Sequence, residues 1–458
     1  SAASDVYKRQ ILLVSKKYLR EEKFMDKMAD VLGRAGAWCG QNKYLSAIKN
    51  AFQNFMPLTI AGAIGVLWCN VLVNESTGLG IFFKPIMALE FLNPAFQAVN
   101  FCTISCITVG ITLGIAQEIG VWNMGAEKAG YIPGLVGLAA WLSVTNTSHM
   151  VEGAKEAFTG IAGNELGATG LFTGMIIGVL SVELFCFFEK QDALKIKMPE
   201  QVPPGVARAF EVLVPATITL IITACIGSAC YNLTGLYLND VIKNGIQGPL
   251  GAVGATIPGV MIIYLVIMLF WLVGIHGNNM LSAVKEALFT PLALENVEKF
   301  NKGEKPTNII NMYALQMWGE FGGSGVTIGL VIAIMIFGKR EDNKAIASLS
   351  LVPGLFNINE TVTFGIPMVL NPILGIPFVV APLITIIIGY VLTVIGFCPV
   401  ACLTVPWTTP PIVFGFLACG ANVMGAVTQA ILIVVSTVIY TPFLISYEKY
   451  QNKQAAEA

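Results

Sequence analysis

One carboxylate, Glu360, lies in the middle of a long uncharged stretch of this chain, directly after Asn357 and Asn359. The flanking residues 346–355 and 369–397 contain no Asp, Glu, Lys or Arg. An ionisable group at membrane depth is costly, so it normally faces a polar cavity on the path of a substrate or ion. The alternative is a carboxylate solvated at the membrane surface, but the apolar sequence on both sides is too long for a surface loop.

Other polar side chains could share such a cavity. His276 and the amides Asn278 and Asn279 follow an apolar segment, and Trp407 lies in the proline-rich stretch 405–411. The histidine could simply end a helix with its hydrogen bonds satisfied, and the tryptophan could anchor the chain at the membrane interface. The adjacent amides favour a polar site, because each amide requires partners. Aromatic faces with amides, hydroxyls and a carboxylate suit a sugar, whose C–H face stacks and whose hydroxyls form directional hydrogen bonds.

The composition indicates a membrane protein. The chain has 458 residues, of which 55% are hydrophobic and only 12% are charged, whereas soluble domains average roughly 25% charged residues. The net charge of −1 does not indicate nucleic-acid binding. The ten cysteines are scattered among apolar residues without a CxxC or Cys/His metal pattern. We therefore interpret them as small buried hydrophobic residues and predict neither a metal nor a cofactor.

Apolar runs of about 20 residues predict membrane-spanning helices. Two apolar segments, 351–372 and 400–420, are interrupted by Pro, Gly and polar residues, which is tolerated at membrane depth only where the backbone is buried or lines a cavity. We predict an all-α polytopic membrane protein with about ten spans and two re-entrant hairpins. The ten candidate spans are 52–73, 97–117, 131–145, 167–187, 209–231, 254–275, part of 278–295, 324–338, 375–397 and 423–446.

The basic residues predict the orientation of the chain. Lys and Arg cluster before residue 50, in 188–208, in 339–344 and near the C-terminus. The positive-inside rule places these segments, and so both termini, in the cytoplasm. A multi-pass membrane protein with both termini in the cytoplasm is then expected.

The chain divides into two membrane halves. Residues 1–24 are expected to be a non-native or disordered extension, the alternative being an amphipathic cytoplasmic helix, and no site residue is predicted among them. Smooth apolar spans occupy 25–235, the first half, whereas 254–446, the second half, holds almost all the unusual polar residues. An interfacial amphipathic connector is predicted at 236–253, and a cytoplasmic tail at 447–458.

Several motifs in a specific order carry a family resemblance. The motifs are Met198-Pro-Glu-Gln-Val-Pro-Pro204, Gly274-Ile-His276-Gly277, Gly322-Gly-Ser-Gly-Val-Thr327, Phe356-Asn-Ile-Asn-Glu360 with Phe364-Gly-Ile-Pro367 and Asn371-Pro372, and Val405-Pro-Trp-Thr-Thr-Pro-Pro411. With these motifs, the chain resembles, from about Met25 to its end, the membrane component, enzyme IIC, of bacterial phosphoenolpyruvate-dependent sugar phosphotransferase systems (PTS), in the lactose/cellobiose/diacetylchitobiose branch. The resemblance implies that the membrane is the bacterial cytoplasmic membrane. The family commonly has proline directly after the glutamate, where this chain has Thr361.

The resemblance implies a mechanism. A β-linked disaccharide of the cellobiose or diacetylchitobiose type binds in the second half, while the first half forms a homodimer scaffold. A phosphocysteine of the partner protein IIB then phosphorylates the sugar's 6-hydroxyl. Glu360 is expected to hydrogen-bond that hydroxyl and help deprotonate it, and His276 to orient the sugar. The remaining expected sugar contacts are the amides Asn357, Asn359 and Asn278 and a stacking platform at Trp407.

The phosphocysteine is not expected on this chain. Cys39 is the only cysteine outside the predicted membrane core, and its surroundings are a short helical segment. IIB and IIA are therefore expected as separate partner proteins, and this chain contributes the sugar site to the phosphotransferase. Two other classes remain open: an ion-coupled secondary sugar transporter, which also uses broken helices and a carboxylate, and a membrane hydrolase, for which no second carboxylate or metal set accompanies the His/Glu pair.

Overall fold

The computed structural model describes residues 30–74, 80, 83–149, 158–199 and 201–457, so the expectation for residues 1–24 falls outside it. The described residues are mostly helical. Their β-structure is one short antiparallel pair, β1 (Ser148–His149) with β2 (Phe158–Thr159). The predicted all-α membrane fold is confirmed.

The first half and the connector are built from α-helices joined by short 3₁₀ and π-helical turns. The 3₁₀ helices are Lys84–Leu92 and Asp192–Leu194, and the π-helical turns are Trp68–Leu72, Phe101–Ser105 and Lys243–Gln247. The α-helices are α1 (30–41), α2 (Lys43–Leu67), α3 (Asn93–Asn100), α4 (Ile107–Met124), α5 (Ala126–Ala129), α6 (Ile132–Val144), α7 (Gly163–Leu166), α8 (Ala168–Glu189), α9 (Pro204–Thr234), α10 (Leu238–Ile242) and α11 (Gly248–Gly254).

The second half alternates long helices with short ones. Its α-helices are α12 (Ile257–Leu272), α13 (Gly277–Asn301), α14 (Met312–Gly319), α15 (Ile328–Phe337), α16 (Glu341–Leu355), α17 (Glu360–Gly365), α18 (Gly375–Val394), α19 (Val413–Ala418) and α20 (Val423–Glu457).

Several of these helices can cross a membrane. Among the described residues, five are long and apolar enough: Lys43–Leu72, Ala168–Glu189, Pro204–Thr234, Gly375–Val394 and Val423–Ala456. The bent pair Lys84–Ser105 and Ile107–Met124, which meets at 42°, adds a sixth, and α6, α12 and α15 are shorter apolar helices. Every predicted span overlaps a helix, including 278–295, which forms most of α13. The total of ten spans remains a prediction.

The two interrupted segments form broken helices. Within 351–372, α16 ends at Leu355 and α17 begins at Glu360. Asn357 lies between them with a φ of 63°, a left-handed conformation that a helix does not continue. Within 400–420 the helical segment is the short α19. That both segments enter and leave by the same membrane face remains a prediction.

Two large hydrophobic clusters correspond to the two halves. Trp271, Trp318 and Phe378 lie in the second-half cluster, and Ile111 and Phe185 lie in the first-half cluster. The first-half cluster also includes three second-half residues, Leu294, Cys402 and Leu403. The halves therefore pack directly against each other, and the surface between them is where a cavity can form. The predicted domain boundaries remain a proposal.

Candidate functional site

A cavity of about 650 Å³ lies between α2 of the first half and the broken segments of the second. Its volume falls within the range of roughly 300–1,000 Å³ that ligand pockets occupy. The structure brings all the sequence-predicted site residues to its wall: Glu360, His276, Asn357, Asn359, Asn278 and Trp407.

Glu360 and His276 lie next to each other on the cavity wall. Glu360 opens α17, and His276 caps α13, where its Nδ1 accepts a hydrogen bond from the Asn279 backbone N–H at 3.2 Å. A ring nitrogen that accepts places the proton on the other nitrogen, so Nε2 carries it and points toward Glu360. The distance from Nε2 to Glu360 Oε1 is 3.8 Å, too long for a direct hydrogen bond. The two groups can therefore both contact one ligand hydroxyl.

Asn357 ties three segments of the site together. Its Oδ1 accepts a hydrogen bond from the Gly322 N–H at 2.6 Å, and its Nδ2 donates to the carbonyl oxygens of Trp407 and Thr409 at 2.5 and 3.1 Å. Both amide hydrogens are thus used, and one acceptor position on Oδ1 remains for a ligand. These bonds hold the backbone that carries Trp407, a residue that is 43% exposed.

Asn359 and Asn278 meet at Ser324. The Asn359 Nδ2 donates to the Ser324 carbonyl oxygen, and the Asn278 Nδ2 donates to the Ser324 hydroxyl, each at 2.8 Å. Gly323, with a φ of +88°, allows this approach, because a Cβ there would lie 2.6 Å from Asn359 Cβ. The Gly-rich segment thus serves close packing of the backbone against the site.

The structure adds a buried ion pair to which the sequence alone assigned no role. Lys285 and Glu320 are 7% and 17% exposed, and their charged atoms are in direct contact. The Tyr264 hydroxyl donates to Glu320 Oε1 at 2.7 Å, and Lys285 Nζ donates to Asn278 Oδ1 at 3.2 Å. The pair therefore orients Asn278 toward the cavity. The sequence feature that could have revealed this ion pair is Lys285, a charged residue inside the predicted span within 278–295.

Thr361 is compatible with the geometry that the family's proline would impose. It is the second residue of α17, in the first turn. Backbone N–H groups of a first turn have no acceptor within the helix, and proline is tolerated there. Proline is therefore tolerated at this position of α17 as well as threonine.

Broken helices that surround a cavity of this size in a helical membrane protein are typical of membrane permeases. The family model "Phosphotransferase system, EIIC" matches residues 49–382. The chain therefore belongs to the PTS EIIC family, and it is a membrane-spanning protein of the bacterial inner membrane.

Relatives with named specificities are similar over nearly the whole chain. The oligo-beta-mannoside-specific EIIC component of Bacillus subtilis is 32% identical, covering 93% of this chain and 94% of the relative. The cellobiose-specific EIIC component of Lactococcus lactis is 29% identical, covering 93% and 98%. The crystal structure of the transporter ChbC, the IIC component of the N,N′-diacetylchitobiose-specific system, superimposes with a TM-score of 0.83 at 29% identity, covering 92% of this chain and 97% of that one.

Proposed function

We propose that this protein is the permease of a PTS that imports a β-linked disaccharide of the cellobiose or diacetylchitobiose type. The observation that carries the proposal is the Glu360–His276 pair on the wall of the cavity. The named relatives support the substrate class, because oligo-β-mannosides, cellobiose and diacetylchitobiose are all β-linked sugars.

The pair would hold the hydroxyl that is phosphorylated. The His276 Nε2–H donates a hydrogen bond to the oxygen of the sugar's 6-hydroxyl. The Glu360 carboxylate accepts the proton of the same hydroxyl. The P–S bond of the IIB phosphocysteine breaks, a P–O bond forms to the sugar, and the electron pair stays on the cysteine sulfur. Phosphoryl transfer depends mainly on positioning and charge stabilisation, which Asn278, Asn359 and the Trp407 face support by holding the sugar rings.

The surrounding organisation follows from this role. IIB and IIA are separate partner proteins that act from the cytoplasm, where the basic clusters place both termini. The first half, 25–235, forms the scaffold of a homodimer, and the second half, 254–446, carries the sugar and moves against it. We infer that the movement would take place along the surface at which Leu294, Cys402 and Leu403 join the first-half cluster.

Phosphorylation would also promote release. The product is a dianion beside the Glu360 carboxylate, and like charges at short range repel strongly where water is scarce. The neutral sugar does not experience this repulsion. The sugar phosphate is therefore trapped in the cytoplasm by its charge and expelled from the site by the same charge.

Purified protein in liposomes is expected to bind cellobiose or diacetylchitobiose with a Kd between about 1 μM and 1 mM, without accumulating it against a gradient. Phosphorylated IIB added on the cytoplasmic face should yield sugar phosphate on that face. The measurement is radiolabelled sugar uptake, with and without proton and sodium gradients and uncouplers. Accumulation of unmodified sugar driven by an ion gradient would instead establish the alternative, an ion-coupled secondary transporter.

The two histidines of the chain offer an internal comparison. His276→Ala is expected to lower the rate of sugar phosphorylation by about 10²-fold, because it removes the donor that orients the hydroxyl beside Glu360. His149→Ala should leave the rate unchanged, because His149 lies in β1, outside the cavity wall, with its ring near Phe158 and Asn146. Initial rates with phosphorylated IIB decide this, and equal tolerance at both positions would contradict the role of His276.

A further inference from the structure

One face of α2 forms the first-half wall of the cavity. Residues three and four apart share one side of a helix, and the lining residues of α2 follow that spacing. This face lines the same cavity as the Glu360–His276 pair, although it belongs to the half that was expected to form the scaffold. The lining residues are Lys49, Phe52, Gln53, Met56, Thr59 and Ile60.

The charges around the cavity are unequal. The described lining residues include three carboxylates, Glu286, Glu320 and Glu360, and two lysines, Lys49 and Lys285. Lys285 is neutralised by its contact with Glu320. Lys49 Nζ forms no hydrogen bond or ion pair with any described residue. It is therefore the cation of the described cavity wall that remains available to a ligand.

A neutral disaccharide can accept hydrogen bonds from this ammonium but has no charge for it to balance, whereas a phosphoryl group is anionic. Negative charge on the oxygens of the phosphoryl group in transfer is stabilised by a cation or by aligned hydrogen-bond donors. The need for a cation is greater here because the Glu360 carboxylate, next to the acceptor hydroxyl, repels those oxygens. Lys49 follows the start of α2 by six residues, about 9 Å along the helix axis. The basic pattern places this end of α2 at the cytoplasmic side, from which phosphorylated IIB arrives.

We propose that Lys49 binds the phosphoryl group during its transfer to the sugar and draws the sugar phosphate toward the cytoplasm. This inference rests on the proposed function. As the P–S bond breaks and the P–O bond forms, the hydroxyl proton passes to Glu360 and the electron pair stays on the cysteine thiolate. The Lys49 ammonium donates hydrogen bonds to the non-bridging phosphoryl oxygens throughout and keeps its own protons.

The test compares Lys49→Met with Lys49→Arg in full-length protein reconstituted in liposomes with phosphorylated IIB from the same source. Cellobiose and diacetylchitobiose are the acceptors. Lys49→Met is expected to slow transfer by about 10²-fold, the scale for losing one charge-stabilising donor. Lys49→Arg should restore most of the rate, because guanidinium also binds phosphate. Affinity for the neutral sugar should stay within about twofold, while affinity for its 6-phosphate falls about tenfold, as for the loss of a charged hydrogen bond.

Lys43→Met is the matched control, because Lys43 lies on the same helix but pairs with Glu183 at 2.6 Å. Its transfer rate should equal that of the wild type. A wild-type rate in Lys49→Met, or an equal loss of affinity for the sugar and its phosphate, would overturn the role of Lys49 while the proposed function stands. If the wild-type protein phosphorylated neither sugar, the proposed function itself would fail, and the inference with it.

Discussion

Glu360→Gln is expected to reduce phosphorylation of the bound sugar by about 10²-fold or more, the usual scale for a lost general base. Glutamine keeps the size of the side chain but removes its charge and its capacity to accept the hydroxyl proton. Sugar binding should also weaken, because a carboxylate accepts stronger hydrogen bonds than an amide. His276 Nε2, 3.8 Å from the carboxylate in the wild type, would still donate to the hydroxyl, but no base would remain beside it.

Single-turnover transfer from phosphorylated IIB and equilibrium sugar binding measure the two effects separately. Glu304→Gln serves as the control, because Glu304 is exposed in the turn after α13 and does not line the cavity. Its transfer rate should match the wild type. If Glu360→Gln transferred the phosphoryl group at a rate close to wild type, the carboxylate would have no part in the chemical step.

Glu320→Gln is expected to destabilise the protein by about 3–5 kcal/mol, because it leaves the Lys285 ammonium buried without a counter-charge. The Tyr264 hydroxyl also loses a charged acceptor. Lys285 should then pull away from Asn278, whose Oδ1 it contacts at 3.2 Å, and sugar affinity should fall together with stability.

The double variant Lys285→Met with Glu320→Gln separates charge from packing. It removes both members of the pair, so most of the lost stability should return. Sugar affinity should remain low, because the donor that orients Asn278 is still absent. Thermal unfolding in detergent and sugar binding are the measurements. If Glu320→Gln alone unfolded at the wild-type temperature, the Lys285 ammonium would have to be stabilised by another partner or by solvent, and the prediction would be wrong.

The membrane class and most helices were predictable because their signal is local. A run of about 20 apolar residues requires a helix in a bilayer, whatever lies beside it. Polar residues within such runs are costly, which is why Glu360, His276 and Trp407 stand out in the sequence as candidate site residues. The cavity wall contains all three.

The partners of those residues depended on tertiary structure. Asn357 was expected as a sugar contact, and the fold uses both of its amide hydrogens on the Trp407 and Thr409 carbonyl oxygens, 50 and 52 residues away. The contact of Lys285 with Glu320 likewise joins two elements that no periodicity links. Such pairs form only when separate segments pack together, so a single sequence does not contain their geometry.

The sequence by itself determined a helical membrane protein with a polar site in its second half, because bilayer length and the cost of burying charge act residue by residue. Only the tertiary structure decided that α2 of the first half lines the cavity and that Lys49 lies on its lining face. On the sequence alone Lys49 is one basic residue in a cytoplasmic cluster. Packing of the two halves brings that helix face to the cavity that the carboxylates also line, and leaves the Lys49 ammonium available to a ligand.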